Sequence, residues 1–335
     1  MKKLRVLVLV HASYVPPEDI SALSDDEQYN LKTELDVIAA LEKLQHKVRV
    51  LGILDELFPI RQAIEEWRPQ IVFNLLEEFR GEAVYDQNVV AYLELLGIPY
   101  TGCSPRGLVI ARDKAMSKKL LAYHRIRCPR FKAARRGRVV RRPQRLGFPI
   151  IVKSLNEEAS RGISKASLVE DDEALVKRVK FIHQRIGTDA ILEEFIPGRE
   201  LYVGLIGNVR LTALPPRELV LKNRESDEML IATERMKHDI AYQEKHGVEI
   251  VSPRPLPEGL VIQLERQSKR IYRILDLEGY GRIDYRLDKE DRLYFLEANP
   301  NPEIAQEEEF ASAAEAAGLS YETVIQRILN LGLRR

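Results

Sequence analysis

The chain opens with short apolar runs separated by segments of helical period. Leu4 to Val10 and Lys47 to Ile53 read as buried strands, because continuous apolar runs of this length suit a covered sheet. Between them Leu31, Leu35, Ile38, Leu41 and Leu44 recur at three- and four-residue spacing, the apolar face of a helix. A third run, Gln70 to Asn74, precedes the segment Glu77 to Glu82, and a helix from about Ala83 to Leu96 follows. Strand and helix in alternation predict an open parallel sheet, with sites at the carboxyl ends of its strands. The Glu77 to Glu82 segment lies at such an end.

Beyond Thr101-Gly102 the pattern changes. A helix from Arg112 to Tyr123 leads to the apolar strand Phe148 to Lys153, a polar loop from Ser154 to Gly162, and a strand from Ile163 to Val169. Asp171 caps a helix carrying Leu175, Val179 and Ile182. Ala190 to Ile196 resumes the β pattern, and Pro197-Gly198 turns it into Glu200 to Ile206. Leu221 to Glu249 is polar and reads as an irregular loop; a helix spans about Glu258 to Leu275, and two more, Glu307 to Ala317 and Tyr321 to Leu331, finish the chain. The organisation expected is an N-terminal α/β domain (1–103), a central α+β subdomain (104–192) and a C-terminal one (193–335).

Between the last long helix and the final pair, Gly281 to Leu287 and Leu293 to Asn299 alternate as a hairpin. With Asp284 opposite Glu297 the register closes through a two-residue loop at Glu290-Asp291, a common hairpin length. One face then carries Ile283, Tyr285, Leu287, Tyr294, Leu296 and Ala298. The other gathers Arg282, Asp284, Arg286, Phe295, Glu297 and Asn299. Like charges directly opposite destabilise a sheet unless something positive lies between them. Oxygen donors of this kind suit Mg²⁺, which shares such sites with phosphates. On the hairpin alone, a solvated face neutralised by its own arginines is an equal reading.

Composition narrows the class. The 335 residues, 45% hydrophobic and 31% charged, describe a globular chain of two or three domains. A net charge of +1 gives no global pull toward nucleic acid or membrane, and no apolar run is long enough to cross a bilayer. Cys103 and Cys128 alone make no disulfide framework, which points to the reducing cytoplasm. From Arg125 to Arg145 stand ten basic residues and no acidic one, with Phe131 the lone aromatic. A solvated face is the plain reading of that run.

Single lysines are weak signals, and the chain has neither a Walker loop nor a Gly-x-Gly-x-x-Gly stretch. Lys153 differs, because a lysine closing an apolar strand needs an anionic partner or a route to water. Phosphate would serve, helped by backbone N–H groups of the following loop. In order, the pieces resemble the ATP-grasp superfamily, and within it the D-alanine–D-alanine ligases. The resemblance rests on Ala91 to Gly102, Arg112-Asp113-Lys114, Ile151-Val152-Lys153, Glu193 to Glu200, Arg282-Ile283-Asp284 and Glu297-Ala298-Asn299.

That resemblance implies roles. Lys114, Lys153 and Lys237 would meet the phosphates of ATP; Glu193, Glu194 and Ile196 would line the adenine pocket; Glu200 would accept from the ribose. Asp284, Glu297 and Asn299 would bind two Mg²⁺ ions, with Mn²⁺ as a substitute. Arg282, with Ser160 and Gly162 of the phosphate loop, would serve the reacting groups. The implied reaction joins a small-molecule carboxylate to an amine, amino acids or peptides, through an acyl phosphate, in a cytoplasmic enzyme and a homodimer.

Departures from the family pattern cluster at the amino-acid pockets. Glu77-Glu78 replaces the histidine-glycine pair, and Ala83 follows Glu82. His238 stands where a tyrosine commonly follows the lysine, and Pro300 to Ala305, with Glu303, replaces the glycine and small hydroxyl residue after the asparagine. Glu82, His238 and Glu303 are therefore the substrate-side candidates, and Glu303 would repel a carboxylate and attract an ammonium group. The competing functions are a small-molecule kinase that stops after phosphoryl transfer and an ATP-binding module without catalysis.

Overall fold

The computed structural model describes residues 3–17, 19–157, 162–222 and 231–335. In the first third, strands β1 (Arg5–His11), β2 (Lys47–Ile53) and β3 (Ile71–Asn74) alternate with helices α1 (Asp25–Asn30), α2 (Lys32–Lys43), α3 (Phe58–Trp67) and α4 (Asp86–Leu95). The strands form a parallel sheet in the order β2-β1-β3, as the alternation predicts. Val6 to Val10 are fully buried because helices cover both faces. Helices α5 (Pro105–Arg112) and α6 (Lys114–Tyr123) follow, the second capped by the Asp113 side chain.

The middle of the chain builds an antiparallel sheet from β4 (Phe131–Ala134), β5 (Ile150–Ser154), β6 (Leu168–Val169) and β7 (Ala190–Glu194), in the order β4-β7-β5-β6, with helix α7 (Asp172–Phe181) against it. The expected strand from Ile163 is shorter than its apolar pattern suggests, since Lys165–Ser167 turns as a 3₁₀ helix and only Leu168–Val169 pairs. Strand β4 went unmarked in the sequence, because its basic neighbours hide a four-residue run.

The last part carries β8 (Arg199–Ile206), β9 (Thr212–Ala213), β10 (Arg217–Leu221), α8 (Glu234–His238), α9 (Ile240–His246), β11 (Val248–Val251), α10 (Leu260–Ile274), β12 (Tyr280–Leu287), β13 (Leu293–Asn299), α11 (Glu309–Ala316) and α12 (Tyr321–Gly332). Its sheet runs β11-β10-β8-β12-β13, with β9 on β8. The stretch expected as an irregular loop from Leu221 to Glu249 thus contains α8, α9 and β11, capped by Thr233 and Asp239. Polar faces masked their helical period. Helix α12 packs back on the first sheet: Val324, Ile325, Ile328 and Leu329 join Val6, Val8, Val37 and Leu41 in one core. Gly198 stands just before β8, where an added Cβ would collide with the Leu287 carbonyl, so the chain enters β8 beside β12 only through a glycine.

Candidate active site

The hairpin has the expected register where it matters and a different one beyond. Arg282 pairs with Asn299, Ile283 with Ala298 and Asp284 with Glu297; a bulge then skips Leu296, and Tyr285 pairs with Phe295. The loop is accordingly Asp288 to Arg292 rather than two residues. Asp288 closes it by accepting N–H bonds from Glu290 (3.0 Å) and Arg292 (2.9 Å). One skipped residue reverses the faces beyond it. Phe295, expected on the polar face, lies fully buried in the core, and Tyr294 turns out to receive the Arg127 guanidinium at 5.5 Å.

Three lysines converge beside this hairpin. The Lys153 ammonium ends β5 at 3.2 Å from Glu193, and Lys118 of α6 approaches the same carboxylate at 3.1 Å. Burial pushes the Glu193 carboxyl up, but Lys118 and Lys153 outweigh it and hold it below the usual carboxylate range. Burial likewise opposes the Lys153 charge, and Glu193, Glu297 and Glu200 more than restore it. Lys114 lies 3.4 Å from Glu297 and donates to the Glu157 carbonyl at 2.6 Å. Lys118, which the sequence reading missed, carries a legible signal: it follows Lys114 by four residues, one turn along the same helix face.

Across β8 and β12, Glu200 takes the Arg286 guanidinium at 2.8 Å and the Tyr202 hydroxyl at 3.0 Å. Glu194 accepts from the Arg130 backbone N–H at 3.2 Å. One cleft is lined by Lys153, Glu193, Glu194, Ile196, Glu200, Asp284 and Glu297, together with Ile151, Arg286, Leu296 and Ile231. Residues of both antiparallel sheets therefore meet there. The cleft is narrow, about 40 Å³.

The other expected residues divide. Arg282 is buried, donates to both Asp284 oxygens at 2.7 and 2.9 Å, and also pairs with Glu309. Burial works against its charge, and Asp284 reverses that. Gly162 adopts φ +73° and donates to Glu234 at 2.8 Å. Glu303 stands 3.3 Å from Lys32, and Lys32 also pairs with Glu308. Burial, then Glu308, pushes the Glu303 carboxyl up against the pull of Lys32. Glu34, on the first turn of α2, is buried and pushed up to about 7 by burial, with Glu303 adding to the effect. Glu82 is exposed in a tight bridge with Phe79. Ser160 and the side chains of Lys237 and His238 lie outside the described residues.

Asp284, Glu297 and Asn299 put oxygen atoms on one hairpin face, a donor set that suits a hard divalent cation. Cationic groups already attend two of them, Arg282 at Asp284 and Lys114 at Glu297. Among the described residues no three His, Cys, Asp or Glu side chains form a metal cluster by themselves. The residues fit magnesium held jointly with substrate oxygens, as that ion is commonly bound.

Two antiparallel sheets that close on buried lysines, behind a parallel-sheet domain, define an ATP-grasp enzyme. The D-alanine–D-alanine ligase of Bacillus anthracis, solved in complex with ATP, superposes with a TM-score of 0.76 at 22% identity over 99% of this chain and 98% of that one. The family model for the D-ala D-ala ligase C-terminus matches residues 116–330. The D-alanine–D-alanine ligase of Bordetella avium is 32% identical over 249 residues, 73% of each chain. An uncharacterized protein, y4sG, of Sinorhizobium fredii is 34% identical over 265 residues, 79% of this chain and 75% of its own. The chain belongs to the D-alanine–D-alanine ligase family. It is an ATP-dependent ligase that forms a carbon–nitrogen bond, in a family that uses ATP and Mg²⁺.

Proposed function

We propose that this ligase joins a carboxylate to an amine other than D-alanine, one that brings positive charge to the site. The observation that carries the reading is Glu303, held among Lys32, Thr33 and Glu308 with the buried Glu34 nearby. A substrate carboxylate placed there would meet like charge, whereas an ammonium group would find its counter-ion.

Within this reading Lys114, Lys153 and Lys237 hold the phosphates, Lys118 holds Glu193 in place, Glu194 and Ile196 receive the base, and Glu200 accepts from the ribose. Asp284, Glu297 and Asn299 hold two Mg²⁺ ions. Bound magnesium neutralises charge along the phosphates. The carboxylate attacks the terminal phosphorus, the bond to ADP breaks, and the amine then displaces phosphate from the acyl phosphate. Positioning and neutralisation are most of what the protein supplies to such a transfer. Arg282, with Gly162 and Ser160 of the loop, faces the anion that develops, and its pairing with Asp284 and Glu309 keeps it charged and oriented. Water must stay out, and the segments around residues 154–162 and 221–249 are the lids of this reading. Work in the cytoplasm accords with it; among the described residues no helix is long and apolar enough to cross a membrane.

Phosphate release with pooled amino acids, dipeptides and diamines, followed by product mass, tests the proposal. An amide of a cationic amine is expected. A D-alanyl dipeptide formed as the preferred product would overturn the substrate reading, and a stable phosphorylated product would favour a kinase.

A further inference from the structure

The basic run from Arg125 to Arg145 does not end up as an evenly solvated face. It lines a cleft of about 1250 Å³ between α6, the strand β4 and α10, whose lining includes Lys119, Arg127, Arg130, Lys132, Arg135 and Arg145 and no carboxylate. Arg135 pairs with Asp189 at 2.8 Å. The others bond elsewhere: Arg130 to the Arg145 carbonyl, Lys132 to the Arg141 carbonyl, and Arg127 over Tyr294. Arg130 reaches Glu194 through its backbone N–H, and among the described residues none of these five side chains pairs with an acid. In the ATP cleft, by contrast, each buried lysine has one.

The floor of the basic cleft is a sheet edge. Strand β4 is the outermost strand of its sheet and, among the described residues, pairs only with β7. The bond from the Glu194 N–H to the Arg130 carbonyl sets the phase of that ladder. Lys132 and Ala134 then bond to β7, while Phe131 and Ala133 turn their backbone N–H and C=O groups outward. Both residues line the cleft. An unpaired edge accepts a further strand, and alternate side chains of that strand supply specificity.

We propose that this cleft binds an extended acidic peptide segment of a partner protein, which adds a strand to β4 and sets Asp or Glu side chains against Lys119, Arg130, Lys132 and Arg145. Single-stranded nucleic acid is the poorer fit, because its recognition depends on stacked aromatic rings and Phe131 is the only one lining the cleft. The site lies on the outer side of β4, whose inner neighbour β7 carries Glu193 and Glu194.

The test is fluorescence anisotropy of the full chain with a labelled alternating Glu–Val decapeptide, beside oligothymidylate and inorganic polyphosphate. Saturable binding of the peptide is expected, weakened about tenfold by Ala133→Pro, which removes an outward N–H and leaves the β7 ladder intact. Lys119→Glu with Arg145→Glu should abolish it, with phosphate release and thermal unfolding unchanged. Tighter binding of the oligonucleotide or polyphosphate, no peptide binding, or an Ala133→Pro variant that binds as the parent does would each overturn the proposal.

Discussion

The cleft around Glu193 and the acidic region around Glu303, proposed as the nucleotide and amine sites, treat charge in opposite ways. Around Glu193, two ammonium groups attend one carboxylate, and Arg286 attends Glu200. Around Lys32, Glu303 and Glu308 share one ammonium, and nearby Glu34 is pushed up by burial and, to a lesser degree, by Glu303. In the first region each buried cation is matched to a carboxylate before a ligand arrives. The second holds more acid than base, two carboxylates on one ammonium. Burial strengthens the first contrast most, since screening by water is weakest around the fully buried Glu193, whereas the Glu303 side chain stays 41% exposed.

The comparison breaks most clearly at the hairpin. Glu297→Ala should lower substrate-dependent phosphate release by about 1000-fold, since preorganised charge at the reacting groups is among the largest single contributions to such reactions. Full retention would remove the hairpin from the chemistry. Lys118→Met comes next. It leaves Glu193 buried with Lys153 alone, and loss of one partner of a buried pair costs about 3 kcal/mol, read by urea unfolding. A cost near zero would mean that Lys153 suffices.

Glu34 tests the acidic region through pH. Its carboxyl is pushed up, so the protonated form is favoured on folding; that contribution is complete below the ordinary carboxylate range near 4.5 and is lost as pH rises through about 7. Glu34→Gln should therefore stabilise the chain at pH 8 by about 2 kcal/mol and change little at pH 4. Thermal unfolding at the two values decides it, and an equal effect at both would deny the shift. The smallest change expected is in specificity. Glu303→Gly should shift kcat/KM toward D-alanine, relative to a diamine, by about tenfold. No shift would place the selectivity elsewhere.

Much of the site was legible because the motif residues stand at strand ends with a simple period. Asp284 faces Glu297 as alternation requires, and Glu193, Glu194, Ile196 and Glu200 reach one cleft with Lys153. Other parts were not legible. The bulge at Leu296 leaves no mark on a run of apolar and polar residues, yet it moves Phe295 into the core. Lys118 looks like one surface lysine among many until helix α6 docks against the β13 backbone, where its ammonium reaches the Leu296 carbonyl and Glu193. Glu34 belongs to a helix first turn and meets Glu303 only because the chain returns from far along its length.

Local order along the chain determined most of the elements, the family and the residue types gathered in the cleft. These depend on periodicity and on short motifs, which neighbours in sequence can specify. Tertiary packing alone decided which charges are shared, which strand remains an open edge, and that the basic run becomes a concave wall. Such properties arise from burial and from contacts between distant segments, where a charge takes its meaning from what surrounds it.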